Sequence, residues 1–221
     1  RLGVDDSLEL ATGFPTRRAD LFAYRAIILG NIEAAYFSGD QLRMLGEFVS
    51  RRGGGLLMLG GRATLAEGGF AGTPVDEALP LALSGARETA TGEPFLEVAV
   101  RPTPAGLAQP MLQLADTRAA NVARWDSLPM LSSVNRLGAL RPGATMLLSG
   151  QPAGGAPARP VFATQRYGRG KSGVFAVQEA FGDLRNRGFE INTVMLVAAT
   201  GAAALSAWAE GALLLFRFNT G

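Results

Sequence analysis

The sequence contains neither cysteine nor histidine. Their absence excludes cysteine nucleophiles, Ser-His-Asp triads, Cys/His zinc sites and disulfides. Carboxylates, hydroxyls, arginines and a single lysine remain available for chemistry. A chain without cysteine fits any redox compartment, so its localisation stays open. We therefore predict no catalytic residue, no metal site and no cofactor.

The chain also lacks a long run of one charge. Its formal net charge is only +2, although the calculated pI is about 9.5. The arginines are spread along the whole sequence, and the longest basic pairs are Arg17-Arg18 and Arg51-Arg52, neither interleaved with aromatics. A nucleic-acid footprint is expected to be clustered and to offer stacking surfaces. The sequence therefore predicts no nucleic-acid partner.

Length and composition favour one globular domain over residues 1–221, because 221 residues with 48% hydrophobic and 18% charged side chains form one sizeable core. No basic and apolar leader follows Arg1, so no signal peptide is expected. Whether the chain is a fragment of a longer protein is left open. Membrane association is expected only through flanking segments.

The clearest local pattern is a strand, helix and strand between Tyr24 and Gly61. The apolar run Tyr24 to Leu29 is typical of a strand buried on both faces, and Leu56 to Leu59 is a second one. Between them, Ser38 and Gln41 have the spacing of a capping box, and Gly53 is the expected helix stop. The segment predicts a βαβ unit with parallel strands.

Later segments predict further elements. A short helix is expected over Val75 to Leu79, and single strands are expected over Asp6 to Leu10, Phe95 to Val100 and Thr145 to Ser149. Two further strands, Val161 to Thr164 and Val174 to Val177, flank the turn Gly168-Arg169-Gly170 and are expected to form a β-hairpin. The tail, residues 179–221, predicts a buried helix over Val194 to Ala209 and a strand over Ala212 to Phe218. A tail that touches lipid is the alternative, but Glu210 and Gly211 interrupt the apolar run that a membrane span needs.

Several stretches resemble the class I glutamine amidotransferase-like domain of large bacterial proteins, which often carry membrane helices and a von Willebrand type A domain. They are LFAYRAIILGNI, FVSRRGGGLLMLGG, GGFAGTPVDEALPL, ADTRAANVARWDSLPML, and the portion from RPGATMLLSG to TQRYGRGKSGVFAV. The resemblance covers about residues 14–178 and departs after Val177. It implies a three-layer α/β/α sandwich with a mostly parallel central sheet of flavodoxin-like type.

The resemblance also shows what is missing. Catalytic relatives present a nucleophilic cysteine after the strand that corresponds to Leu56 to Leu59, and this sequence has Gly60-Gly61-Arg62 there. Without nucleophile and base, glutamine hydrolysis through a thioester is impossible. The resemblance therefore implies the fold and not the reaction.

Ligands of open α/β sheets bind beyond the carboxyl ends of the strands. The residues expected to line such a crevice are Asn31, Gly60, Gly61, Arg62 and Glu67. The structural alternative is that the glycines supply positive φ at turns and a helix stop. The Gly170-Lys171-Ser172 segment lacks both the earlier glycine and the following helix of a phosphate-binding loop.

We expect a non-catalytic binding module that contacts a protein partner, another domain of the same polypeptide or a ligand. The alternative is a carboxylate-dependent hydrolase, for which the one compact candidate cluster is Asp116, Arg124, Trp125 and Asp126. The structural interpretation of that cluster is an Arg–Asp pair that holds a loop, with Trp125 as core packing.

Overall fold

The buried apolar runs of the sequence become neighbouring strands of one sheet. The computed structural model describes residues 13–84, 97–131, 135, 137–176 and 213–217. Its strands are β1 (Ala26–Gly30), β2 (Gly55–Leu59), β3 (Val98–Pro102), β4 (Thr145–Pro152), β5 (Arg159–Tyr167), β6 (Gly170–Phe175) and β7 (Leu213–Arg217). Its α-helices are α1 (Arg18–Ala23), α2 (Gly39–Glu47), α3 (Pro74–Ala78), α4 (Pro104–Leu107) and α5 (Arg118–Asp126).

The predicted βαβ unit is confirmed. Strands β1 and β2 pair in parallel, with Ala26 opposite Gly55. Ser38 and Gln41 form the reciprocal capping box at the start of α2. The helix continues as one π-helical turn, Phe48–Arg52, and stops at Gly53, whose φ of 85° suits glycine. All five residues of β1 are buried, as expected for a strand covered on both faces.

Among the described residues the strand order is β3-β4-β5-β6-β2-β1-β7. The pairs β6-β2, β2-β1 and β1-β7 are parallel, whereas β3-β4, β4-β5 and β5-β6 are antiparallel. The expected α/β class is confirmed, but half of the pairings are antiparallel, so the sheet is mixed rather than mostly parallel. The difference arises because β3, β4 and β5 run up and down as a meander beside the parallel half.

Most predicted elements appear with shifted ends. Helix α3 and the β5-β6 hairpin match their predicted positions, and β7 falls within Ala212 to Phe218. Strand β3 continues past the predicted end at Val100 to Arg101 and Pro102. Among the described residues it lies at the end of the strand order, where it pairs with β4 and has one further bridge, from Val98 to Leu131, so Pro102 occupies an edge strand. The predictions for Asp6 to Leu10 and Val194 to Ala209 lie outside the described residues. In the part that the structure describes, no helix has the length and apolarity to cross a membrane.

Candidate functional site

The five predicted site residues lie at the carboxyl ends of β1 and β2. Asn31 follows β1 directly, and Gly60, Gly61 and Arg62 follow β2. Because the strands are parallel neighbours, the two chain ends meet: a Cβ on Gly61 would lie 2.8 Å from Asn31 Oδ1. Strand β2 is an interior strand, between β1 and β6. The structure therefore brings together the residues that were expected to line one edge of the sheet.

A residue that sequence reasoning missed holds this edge together. Asn135 is 1% exposed, and its side-chain amide forms a reciprocal pair with Gly61. Gly61 N donates to Asn135 Oδ1 at 3.0 Å, and Asn135 Nδ2 donates to the Gly61 carbonyl at 2.9 Å. The backbone N–H of Asn135 donates to the Ala176 carbonyl at 3.1 Å, just beyond β6. The Asn135 side chain thus forms hydrogen bonds with both backbone groups of Gly61.

Glu67 completes the cluster. Asn135 Nδ2 also donates to Glu67 Oε2 at 3.0 Å, which places a half-buried carboxylate next to the Gly61 turn. Arg62 is exposed on the same turn. The edge therefore carries a carboxylate that contacts a buried amide, and a guanidinium on the same turn, and groups of these types recognise charged and polar ligand atoms.

Gly61 and Gly68 are needed at this edge for close contact and not for backbone conformation. Neither Gly60 nor Gly61 has a positive φ, so that interpretation is wrong for this pair, although it holds for Gly53 and Gly69. A side chain at Gly61 would clash with Asn31, which lies against it. A Cβ on Gly68 would lie 2.6 Å from the Ala63 carbonyl oxygen.

The non-glycine residues with positive φ among the described residues both flank this edge. Asn31 has a φ of 49° and Leu65 a φ of 55°. Asparagine tolerates this region, whereas a leucine there costs about 1–3 kcal/mol. Leu65 is completely buried, so core packing holds it in place. The loop after β2 is therefore fixed by packing in a conformation that its sequence does not favour.

The buried hydroxyl of Thr64 belongs to the same loop. Thr64 is 0% exposed, and its Oγ1 has no hydrogen-bond partner within the described part of the chain. Such a group destabilises a fold by about 1–3 kcal/mol relative to an apolar group of the same shape. The unsatisfied hydroxyl of Thr64 thus destabilises this loop in addition to the positive φ of Leu65.

The alternative cluster around α5 does not converge into a paired-carboxylate site. Asp126 forms an ion pair with Arg101 at 2.8 Å and not with Arg124. Trp125 is 6% exposed and donates its indole N–H to the Leu112 carbonyl at 3.0 Å, which confirms its expected role in packing. Asp116 is exposed at the other end of the helix. No group of three or more acidic residues that could hold a metal ion occurs among the described residues.

Asp76 is a buried carboxylate that the sequence pattern did not single out. Its side chain is 3% exposed and lies 2.8 Å from Arg141. Burial alone raises the pKa of Asp76, but hydrogen bonds from Gly72 N–H, Leu83 N–H, the Ser84 hydroxyl and Arg141 outweigh burial and hold that pKa below its usual value. The charged carboxylate is fully used in fixing the loops around α3, so its role is structural.

The fold and the edge define the class as an α/β protein with a mixed sheet and a polar cluster at the carboxyl ends of its parallel strands. No protein family model and no curated protein matches the chain. Two solved structures share the fold. Cytoplasmic protein STM3548 from Salmonella typhimurium has a TM-score of 0.64 at 16% identity, over 88% of this chain and 76% of that chain. Cytoplasmic protein STM1381 from Salmonella typhimurium LT2 has a TM-score of 0.65 at 18% identity, over 88% and 77%. At these identities the likeness concerns the fold alone.

Proposed function

We propose that this chain is a non-catalytic glutamine amidotransferase-like module that works by binding a ligand or a protein within a larger bacterial protein. The proposal includes a three-layer α/β/α arrangement of flavodoxin-like type. The observation that carries it is the turn after β2. An interior strand of a parallel sheet region leads into Gly60-Gly61-Arg62, the position at which the catalytic domains that the sequence resembles carry their nucleophile.

The geometry of that turn supports binding without turnover. Asn135 engages both backbone groups of Gly61, and the sequence supplies no cysteine or histidine to act as nucleophile or base. Arg62 and Glu67 carry opposite charges on the same edge. A ligand with a carboxylate and an ammonium group is complementary to such a pair. Amino acids are therefore the first ligands to test.

Thermal shift and calorimetric titration with L-glutamine and other free amino acids test the ligand half of the proposal. We expect binding by the natural chain that Arg62→Ala or Glu67→Gln abolishes. Glu67→Gln retains an oxygen that accepts from Asn135, so it removes the charge without removing that contact. Arg118→Ala and Asp116→Asn, exposed near the start of α5, are the controls and should bind normally. Equal binding by all variants would exclude the carboxyl edge, which comprises Asn31, Gly60, Gly61, Arg62, Glu67 and Asn135, as the ligand site.

A further inference from the structure

Three segments that are distant in sequence meet at the opposite edge of the sheet, where β1, β2 and β6 begin. We call residues 17–25, 47–53 and 166–171 the amino edge. Arg52 Nε donates to the Phe22 carbonyl at 3.1 Å, and the Arg169 N–H donates to the Ser50 carbonyl at 2.9 Å. The Gly55 N–H donates to the Arg25 carbonyl at 3.0 Å. These contacts link all three segments.

The amino edge concentrates positive charge. Its segments hold eight of the chain's 21 lysines and arginines but only two of its 19 acidic residues. The rest of the chain therefore carries 13 cationic and 17 acidic side chains, a net charge of the opposite sign. Arginines that are spread along the sequence are thus gathered in space. The separation of the arginines in sequence therefore does not exclude a polyanionic partner of the folded chain.

The acidic residues of the amino edge are already paired. Glu47 forms ion pairs with Arg18 at 2.5 Å and with Arg51 at 3.1 Å. Asp20 pairs with Arg17 at 2.8 Å. Arg25, Arg52, Arg166 and Arg169 form no ion pair with any carboxylate of the described residues, and all but Arg52 are exposed. Within the part of the chain that the structure describes, these four guanidinium groups give the edge a positive charge that no ion pair offsets.

The fold holds these cations together against their mutual repulsion. Arg166 lies directly opposite Lys171 in the β5-β6 ladder, an arrangement that destabilises a sheet when the charges are alike. A Cβ on Gly168 would lie 2.5 Å from the Ser50 carbonyl oxygen, so glycine allows the hairpin turn to rest on the end of the π-helical turn. That close approach places Arg169 against Ser50 and Gly53, the residues on either side of Arg51 and Arg52. A concentrated field of one sign raises the local concentration of oppositely charged partners.

We propose that the amino edge binds the phosphate backbone of duplex nucleic acid without reading its sequence. The strands β1, β2, β6 and β5 are consecutive in the sheet, so the arginines at their ends span about 14 Å at a strand spacing of about 4.8 Å. That length corresponds to about four base-pair rises along the axis of a duplex. Arginine binds phosphate with two parallel hydrogen bonds, which a lysine-rich surface cannot do.

The surroundings of the arginines favour a duplex over two other polyanions. Among the described residues the large exposed hydrophobic side chains are Tyr36, Val122, Met130 and Leu140, all outside the amino edge, so this edge lacks the apolar anchor of membrane-surface segments. The aromatic side chains of this edge, Phe22, Tyr24 and Tyr167, are partly buried against the core, and none is among the large exposed side chains on which unpaired bases stack most readily.

Fluorescence anisotropy with a labelled duplex of about 20 base pairs tests the proposal between 50 and 200 mM salt. Four unpaired arginines predict a loss of affinity on the order of 100-fold over that range, since each neutralised phosphate contributes about 0.9 to the logarithmic salt slope. The triple variant Arg25→Gln, Arg166→Gln and Arg169→Gln should weaken binding at least about tenfold at the lower salt and flatten the slope by about 2.7.

The matched control is Arg43→Gln, Arg118→Gln and Arg124→Gln, which lowers the net charge equally at sites outside the amino edge. Its affinity and salt slope should stay close to those of the natural chain. Equal losses in both triples, no binding at 50 mM salt, or binding to phosphatidylserine vesicles and not to the duplex would each overturn the proposal. Thermal melts verify folding, and Arg169→Gln alone replaces the triple if the triple does not fold.

Discussion

Replacing Asn135 tests how the carboxyl edge is held. Asn135→Ala removes three hydrogen bonds, to Gly61 N, Gly61 O and Glu67 Oε2, from a side chain that is 1% exposed. Each buried group left without a partner costs about 1–3 kcal/mol, and both backbone groups of Gly61 lose theirs. We therefore expect a loss of about 2–5 kcal/mol in the free energy of unfolding, or about 5–15 °C in Tm for a chain of this size.

Asn121→Ala is the matched control, because Asn121 is 0% exposed and its side chain has one hydrogen bond, accepted from Leu114 N at 2.6 Å. Its Nδ2 has no partner among the described residues, so the substitution also removes an unsatisfied donor. Urea denaturation followed by circular dichroism should show a clearly smaller loss than for Asn135→Ala. If Asn135→Ala is no more destabilising than Asn121→Ala, the reciprocal pair with Gly61 does not stabilise the edge and the reasoning fails.

Three other predictions concern stability. Asp76→Asn should lower the free energy of unfolding by about 3 kcal/mol at neutral pH. Because the pKa of Asp76 is depressed in the folded chain, its carboxylate stabilises the fold above the unfolded pKa of about 4, and the difference in unfolding free energy between variant and natural chain should shrink as pH falls below 4. A pH-independent difference in urea melts would contradict this. Gly170→Ala places a Cβ 2.4 Å from a backbone oxygen and should cost about 1–3 kcal/mol, whereas Gly39→Ala, with nothing within 4 Å, should be nearly neutral in the same melts. Thr64→Val removes a buried unsatisfied hydroxyl and should raise Tm or leave it unchanged, so a clear fall in Tm would count against that assignment.

Local signals explain which parts of the fold were predictable. The helix α2 has a capping box at its start and glycine at its end, and β1 and β2 are short apolar runs bounded by glycine, so each is specified by its own residues. The antiparallel meander was not predictable in the same way. The pairing of β3 with β4 joins residues about fifty positions apart, and irregularities between Met146 and Ser149 shift the register of β4 against β5.

The candidate site shows the same division. Parallel β1 and β2 place Asn31 beside Gly61, which follows from topology and was expected. Asn135 was missed because it lies 74 residues from Gly61 in a segment without periodic pattern, and no local signal marks an asparagine that binds a distant backbone. The Arg–Asp pair expected near Trp125 is formed with a residue distant in sequence, since Arg101 reaches Asp126 from β3.

The grouping of arginines at the amino edge could not be predicted from the sequence for a related reason. Sequence distance between Arg25, Arg51 and Arg169 says nothing of their distance in a sheet whose parallel strands all begin at one edge. Charge clustering is a property of the fold. These residues come together through the strand order and through the contact of the β5-β6 turn with the end of the π-helical turn.

Ammonia release from L-glutamine tests the central proposal, binding without turnover, most directly. We predict no release above the buffer rate, because the turn at Gly60-Gly61-Arg62 offers no nucleophile and the Asn135 side chain is hydrogen-bonded to both backbone groups of Gly61. Release proportional to the protein concentration and abolished by both Arg62→Ala and Glu67→Gln would contradict it, since the carboxyl edge would then be a catalytic site.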